Sequence, residues 1–310
     1  MPSFPSPPPR FGSAPARGMT LVELMVGIAV GLLVIAVATG ALMVSRGVSG
    51  TVTDASQLQQ QASYAFRILG QQIRQAGSMQ LNLAANKSPG DPILIEDFVA
   101  FSPNTEIYSA LPETVPPNTP AVSGKDAPAA GEYRLSLAFQ NYEEPSFPGG
   151  ATVSFFRDCL GAQPSSTIIQ SQFVLDTVLG ELRCAGSNNV PQSLIRNVAD
   201  FQVRYLIQNR AAAQSGLPTI QYVSAAGVPP IPAGGATDWS TVFGVEVCLV
   251  LYGDEPIDMP AGSDYTGCVD ADGNGLFDKV VMTSLAGARR NRLHMAFRSV
   301  FQLRSQGLAG

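Results

Sequence analysis

Charge is scarce in this chain. Only 14% of its 310 residues are Asp, Glu, Lys or Arg, against 45% hydrophobic residues. From Leu24 to Val44 there is no charged residue at all. The sequence has one histidine, His294, which excludes any metal site or protease that needs two. None of the four cysteines forms a CxxC pair, and there is no GxSxG, P-loop or GxGxxG string. The expectation is a protein that is not an enzyme. A formal net charge of -5 gives no electrostatic reason to expect a nucleic-acid partner. No internal repeat is evident.

What the chain does have is an apolar block near its start. Residues 1–18 are Pro-rich, carry Arg10 and Arg17 and contain no acid. Such a leader does not fold, and its charge suits the cytoplasmic side of a membrane. Residues 20–44 then supply about 25 apolar positions, or ~38 Å of helix, enough to cross a hydrocarbon core of ~30 Å. The run is too long for a secretory signal peptide, and its small and basic residues, Arg17 and Gly18, come before it. An ordinary signal anchor leaves Glu23 unexplained. A carboxylate in a membrane helix costs ~2.5–3.5 kcal/mol near the centre and less near an end, so it implies a function.

Gly18-Met19-Thr20-Leu21-Val22-Glu23-Leu24, followed by the long apolar helix, resembles the class III signal of type IV pilins and pseudopilins. The resemblance implies that a prepilin peptidase cuts between Gly18 and Met19. It implies that Met19, the new N-terminus, is N-methylated. It also implies that Glu23 pairs with the N-terminal amine of a neighbouring subunit during assembly, which gives the carboxylate its cation. Phe is commoner than Met at the first mature position.

Beyond Arg46, Val52, Ala55, Leu58, Ala62, Ala65, Phe66, Leu69 and Ile73 recur at spacings of three and four, the period of an amphipathic helix. Gly77 is its expected stop. Four later stretches alternate apolar and polar residues, as half-buried antiparallel strands do: 132–142, 200–209, 241–252 and 292–304. Weaker strand patterns cover 153–156 and 173–178. Pro-, Ala- and Gly-rich stretches at 102–131 and 209–238 read as long loops. The expected fold is α+β: a long N-terminal helix, half membrane-spanning and half amphipathic, packed on an antiparallel β-sheet pilin-like domain with long loops. The expected divisions are a leader (1–18), a membrane or filament-core helix (19–45), its amphipathic continuation (46–77) and a β-rich globular periplasmic domain (78–310).

The strings RILGQQIRQAGSM (67–79), FFRDCLGA (155–162), ELRCAG (181–186), LIRNVADFQVRYLI (194–207), DWSTVFGVEVCLVL (238–251) and RRNRLHMAFRSVFQLRS (289–305) resemble PilW-type minor pilins in sequence and order. That resemblance implies a low-abundance subunit that primes pilus assembly and stays near the tip. Its partners would be other minor pilins, the major pilin, the prepilin peptidase and inner-membrane lipid. It would reside in the inner membrane of a Gram-negative bacterium as a single-pass protein with its globular domain in the periplasm, and then in the surface pilus. The layout is also similar to the GspJ pseudopilin of type II secretion, and a tip adhesin or DNA-uptake pilin is a third reading.

An exported domain with four cysteines is expected to form disulfides, with three possible connectivities. Cys159–Cys184 and Cys248–Cys268 each close a short loop, and the resemblance to minor pilins supports the first. Asp270, Asp272, Asn274, Gly275, Leu276 and Asp278 match the first nine positions of an EF-hand-type calcium loop, with side-chain oxygens at 270, 272, 274 and 278 and a backbone carbonyl at Leu276. The closing bidentate acid is missing, since Val281 stands in its place, and a polar hairpin turn is the competing reading. His294 alternates with Leu293 and Met295, which places it on the outer face of the last strand. Arg289, Arg290, Arg292, Arg298 and Arg304 read as a basic patch, solvated or paired with an acidic partner subunit.

Overall fold

The computed structural model describes residues 18–82, 86–88, 92, 94, 100–101, 107–108, 119–145, 152–209, 219–230, 235–271 and 276–303. The expected leader, apart from Gly18, lies outside them, as do half of the 102–131 loop and Arg304. The chain divides into two compact units, Met1–Gly50 and Thr51–Gly310. One helix, α1 (Leu21–Gln75), contributes to both.

Within the first unit the helix is apolar all round. Leu21–Met43 has a mean hydropathy of 2.7 and buries none of it. A helix of this kind needs lipid or other helices around it.

Within the second unit the helix carries a buried stripe. Leu58, Ala62, Ala65, Leu69 and Ile73 are all at 2% exposure or less. Val52 is exposed and Phe66 half-buried, so the expected stripe is right in period and narrower in extent. The helix ends at Gln75. Gly77 then takes φ 72°, a left-handed conformation that glycine adopts without a Cβ clash, and its N–H donates to Ala138 O at 2.8 Å.

Two antiparallel sheets follow. Strands β1 (Val122–Ser123), β2 (Leu135–Gln140), β3 (Ile168–Asp176), β4 (Glu181–Ala185) and β5 (Pro191–Ile195) form a five-stranded sheet in the order β5-β4-β3-β2-β1. Strands β6 (Val198–Asn209), β7 (Thr219–Val223), β8 (Val242–Pro256) and β11 (Arg292–Gln302) form a four-stranded sheet in the order β7-β6-β8-β11. Between β8 and β11, β9 (Asp264–Thr266) and β10 (Lys279–Val281) pair as a small hairpin.

One core joins the helix stripe to both sheets. It includes Leu135, Leu137, Phe173 and Leu182 from the first sheet and Phe201, Val203, Tyr205, Val245, Val247 and Leu249 from the second. The approach is close at Gly70, where an added Cβ would lie 2.5 Å from the Phe301 ring. The fold is α+β, a long N-terminal helix with antiparallel β-sheets.

Three departures from the sequence reading have physical causes. The 209–238 stretch is not all loop, because Thr219–Val223 pairs with β6 as an edge strand. Ile220 and Tyr222 of that strand are exposed, so there is little hydrophobic pattern to reveal it. The 153–156 pattern yields only a two-residue pairing, Thr152–Val153 with Glu144–Pro145, and Phe155 stays 64% exposed. Strand β8 is buried on both faces from Val242 to Tyr252 except at Phe243. Its outer face is covered by the residues that connect it to β11, where Cys248 and Val250 pack with Cys268 and Tyr265.

Candidate functional site

The processing and assembly residues lie at the helix start. Gly18 has nothing within 4 Å of where a Cβ would stand, and Met19 is 67% exposed, so the peptide between them is open to a peptidase. Thr20 caps the helix. Its carbonyl accepts from Leu24 N at 3.1 Å, and its hydroxyl oxygen accepts from Glu23 N at 3.3 Å. Thr20 and Glu23 therefore stand in the positions of a capping box, a spacing already present in TLVE but not recognised in the sequence reading. Glu23 lies in the first turn, where the helix dipole favours a carboxylate. The residue that is costly in an apolar helix thus sits at the helix end that best tolerates it. Its charge stays available to a cation supplied from outside the chain.

The cysteines pair as Cys159–Cys184 and Cys248–Cys268. The first bridge lies beside a buried polar network. Ser171 Oγ donates to Gln72 Oε1 at 2.8 Å and accepts from Cys159 N at 3.0 Å, while Gln72 Nε2 donates to Arg157 O at 3.2 Å. Gln72 is a polar residue of the helix that is not part of its periodic apolar stripe. It is 2% exposed, and these bonds are what make its burial tolerable.

The second bridge ties the connection between β8 and β11 onto the outer face of the sheet, and arginines reinforce it. Arg289 Nη1 donates to Ala199 O at 3.3 Å and Arg292 Nη1 to Gly253 O at 3.0 Å. Arg298 donates to Gly267 O and, through Nε, to Cys248 Sγ at 3.2 Å, with its guanidinium over the Phe277 ring. Arg289 and Arg298 nevertheless stay exposed, as a solvated patch expects, and Arg292 is half-buried. Their guanidiniums satisfy carbonyls of the protein's own fold.

His294 is corrected too. It does alternate with Leu293 and Met295, but it is 4% exposed rather than on an open face. Its ring lies between Tyr265 (centroids 4.8 Å apart, interplanar angle 10°) and Tyr252 (5.8 Å, 29°). The same connection that buries the outer face of β8 buries it.

In the expected calcium loop, Asp272 and Asn274 lie outside the described residues, with Gly273 and Gly275. Asp278 Oδ2 accepts from Ala271 N at 3.2 Å, and the Asp278 backbone bridges Val269 O and Gly267 N, each at 2.8 Å. Among the described residues no group of three His, Cys, Asp or Glu could hold a metal ion.

Asp200 and Tyr205 are among the groups outside the membrane-spanning segment whose ionisation is perturbed. Burial raises the Asp200 carboxyl, against hydrogen bonds from Gln202 and Phe201 and the nearby charges of Arg134 and Arg289. Burial also pushes the Tyr205 hydroxyl well up, and it donates to Arg134 O at 3.1 Å.

Comparison with known proteins bears on this geometry at both ends of the chain. Residues 14–39 match the prokaryotic N-terminal methylation motif, and residues 171–305 match the Type IV Pilus-assembly protein W family, PilW. Among solved structures, a type IV-like pilin from Thermus thermophilus aligns with 81% of this chain and 98% of its own, at 14% identity and a TM-score of 0.33. No curated protein matches the sequence. The methylation motif encloses Gly18, Met19 and Glu23, and the PilW match spans β4 to β11 and both residues of the Cys248–Cys268 bridge. The two matches together support a minor type IV pilin of PilW type with a class III prepilin signal.

Proposed function

We propose that this minor pilin primes assembly of a type IV pilus and remains near its tip, with other minor pilins and the major pilin as its partners. Before assembly it is held by Leu21–Met43 in the inner membrane of a Gram-negative cell, with the β-rich unit in the periplasm. Prepilin peptidase cuts after Gly18, and Met19 is N-methylated. Glu23 then meets the amine of a neighbouring subunit as the helix leaves lipid for the filament core. The observation that carries the reading is the single carboxylate, Glu23, at the capped start of a helix that is otherwise apolar and unburied over 23 residues. An uncompensated carboxylate there is costly, and a cationic N-terminus from another subunit removes the cost. The chain performs no catalysis in this scheme.

The competing reading is a GspJ-like pseudopilin. Deleting the gene and scoring surface pili together with secreted proteins separates the two. Loss of pili with normal secretion supports the minor pilin. Normal pili with exoproteins trapped in the periplasm overturn it. A tip adhesin or DNA-uptake role would instead leave pilus number unchanged when the 102–131 or 209–238 stretch is shortened. Calcium binding at Asp270, Asp272, Asn274, Leu276 and Asp278 is proposed on sequence grounds. The sequence places three carboxylates within nine residues, and they repel one another without a cation.

A further inference from the structure

His294 is buried in a way that ordinary core packing does not require. Its Nδ1 lies 2.8 Å from Arg292 O, so Nδ1 carries the proton and donates it to that carbonyl. Its Nε2 is buried and has no hydrogen-bond partner among the described residues. The ring fills the slot between Tyr252 of β8 and Tyr265 of β9. Neutral histidine is tolerable here, since it leaves only an unused lone pair. Protonated histidine is not, because Nε2 would become a buried cationic donor with no acceptor.

The charged neighbours make protonation worse. Arg289, which pins the connection to Ala199 O, and Arg292, on the same strand as His294, both act against a positive ring. Asp200 acts electrostatically on Tyr265 and on Arg289. Tyr252 and Tyr265 contribute ring faces. Burial lowers the imidazole's pKa, with the two arginines adding to it and the Arg292 carbonyl opposing it.

We propose that His294 is a pH-sensitive latch. Neutral, it closes segments 257–266 and 279–291 over the outer face of the sheet, and its protonation on acidification loosens them. The Cys248–Cys268 bridge keeps them attached, so the loosening is local and reversible. The two segments are tied to one another by Met282 N to Ser263 O at 2.9 Å and Ile257 N to Asn291 O at 2.7 Å, the second is closed on itself by Asn291 N to Met282 O at 3.5 Å, and it is tied to the sheet by Arg289 Nη1 to Ala199 O at 3.3 Å. Opening gives Nε2 water as its missing partner.

The direction with pH follows from linkage. A histidine whose folded pKa lies below its unfolded value stabilises the closed form fully above ~6.5, and the contribution is lost as pH falls below that value. Asp200 works in the opposite sense. Its folded pKa is raised, so protonating it relieves a burial penalty at lower pH still.

The test is hydrogen exchange on the full-length chain in detergent at pH 7.5 and pH 5.0, corrected for intrinsic rates. Amides of 257–266 and 279–291 should lose protection severalfold at pH 5.0, in the direction that linkage requires. The β6 and β8 amides should not. His294→Phe, which keeps a ring in the slot, should abolish the loss, and Asp200→Asn should leave it in place. Unchanged protection in the wild type, or an equal loss in His294→Phe, overturns the proposal. Should His294→Phe fail to fold, NMR of the wild type still decides, because the chain has one histidine and hence one imidazole signal to follow. A midpoint below ~6.5 that tracks the loss of protection supports the latch, and a midpoint at or above ~6.5 ends it.

Discussion

Substituting Ser171 by Ala tests the docking of the helix on the first sheet at one buried atom. Ser171 is 0% exposed and Gln72 2%, so no water stands ready to replace the hydroxyl. Its removal strands two groups, the Cys159 N–H at 3.0 Å and the Gln72 side-chain carbonyl at 2.8 Å. Each stranded group costs about 1–3 kcal/mol, so the variant should lose roughly 2–6 kcal/mol, while the lost packing of one oxygen atom adds little. For a unit of this size ~1 kcal/mol moves the melting temperature by about 2 °C or a little more, which predicts a fall of about 4–12 °C. Thermal unfolding of the detergent-solubilised chain can be followed by its single tryptophan, Trp239, which packs edge-on to Tyr205 with centroids 4.9 Å apart. Trp239 belongs to the other sheet's side of the core, so it reports global unfolding rather than the local change. Combining Ser171→Ala with Gln72→Leu should cost less than the sum of the two, because the double variant no longer strands the Gln72 carbonyl. Additive effects, each below about 0.5 kcal/mol, would refute a shared buried network and with it this account of how the helix is held.

Three further outcomes are expected. Replacing Cys159 and Cys184, or Cys248 and Cys268, by Ser should cost about 3 kcal/mol per bridge, since the loops closed have sequence separations of 25 and 20; denaturant unfolding of each variant measures it. Glu23→Ala should leave leader removal intact, seen as a band shift on a gel, and abolish incorporation into sheared pili, whereas incorporation at the wild-type level would remove the assembly role of the carboxylate. Millimolar calcium should raise the melting temperature, and Asp272→Ala should abolish the gain; no response of the wild type to the ion means the 270–278 stretch is a turn.

Strong local signals were legible in the sequence. The apolar run, the 3.6-residue stripe from Leu58 to Ile73 and the alternation in β2, β6, β8 and β11 each record a single physical demand, burial of one face, repeated over many residues. One strand that left little trace lacks that demand. Thr219–Val223 is an edge strand with both large apolar residues exposed, so its pairing is written in backbone hydrogen bonds that any sequence can make. The helix start was half legible. The string TLVE gave both the prepilin resemblance and a capping box, but only the hydrogen bond at Thr20 distinguishes the second role from the first.

Polar residues in the interior were the least legible, and the reason is general. Gln72, Ser171 and His294 each look like surface residues when only their own hydropathy is considered. Each is fixed by a partner far along the chain, Gln72 by Ser171 and Arg157 and His294 by Tyr252 and Tyr265, and the exposed Arg298 is held likewise by Gly267 and Cys248. Periodicity registers transfer from water and is silent about such pairings, because a satisfied buried polar group costs little once its partner is in place. The outer face of β8 shows the consequence. Alternation assigned Cys248, Val250 and Tyr252 to a face turned away from the core, and so implied solvent there. The disulfide, three arginines and a stacked histidine instead hold a second layer over that face, and their sequence positions, 20 to 50 residues from β8, gave no local sign that they would converge.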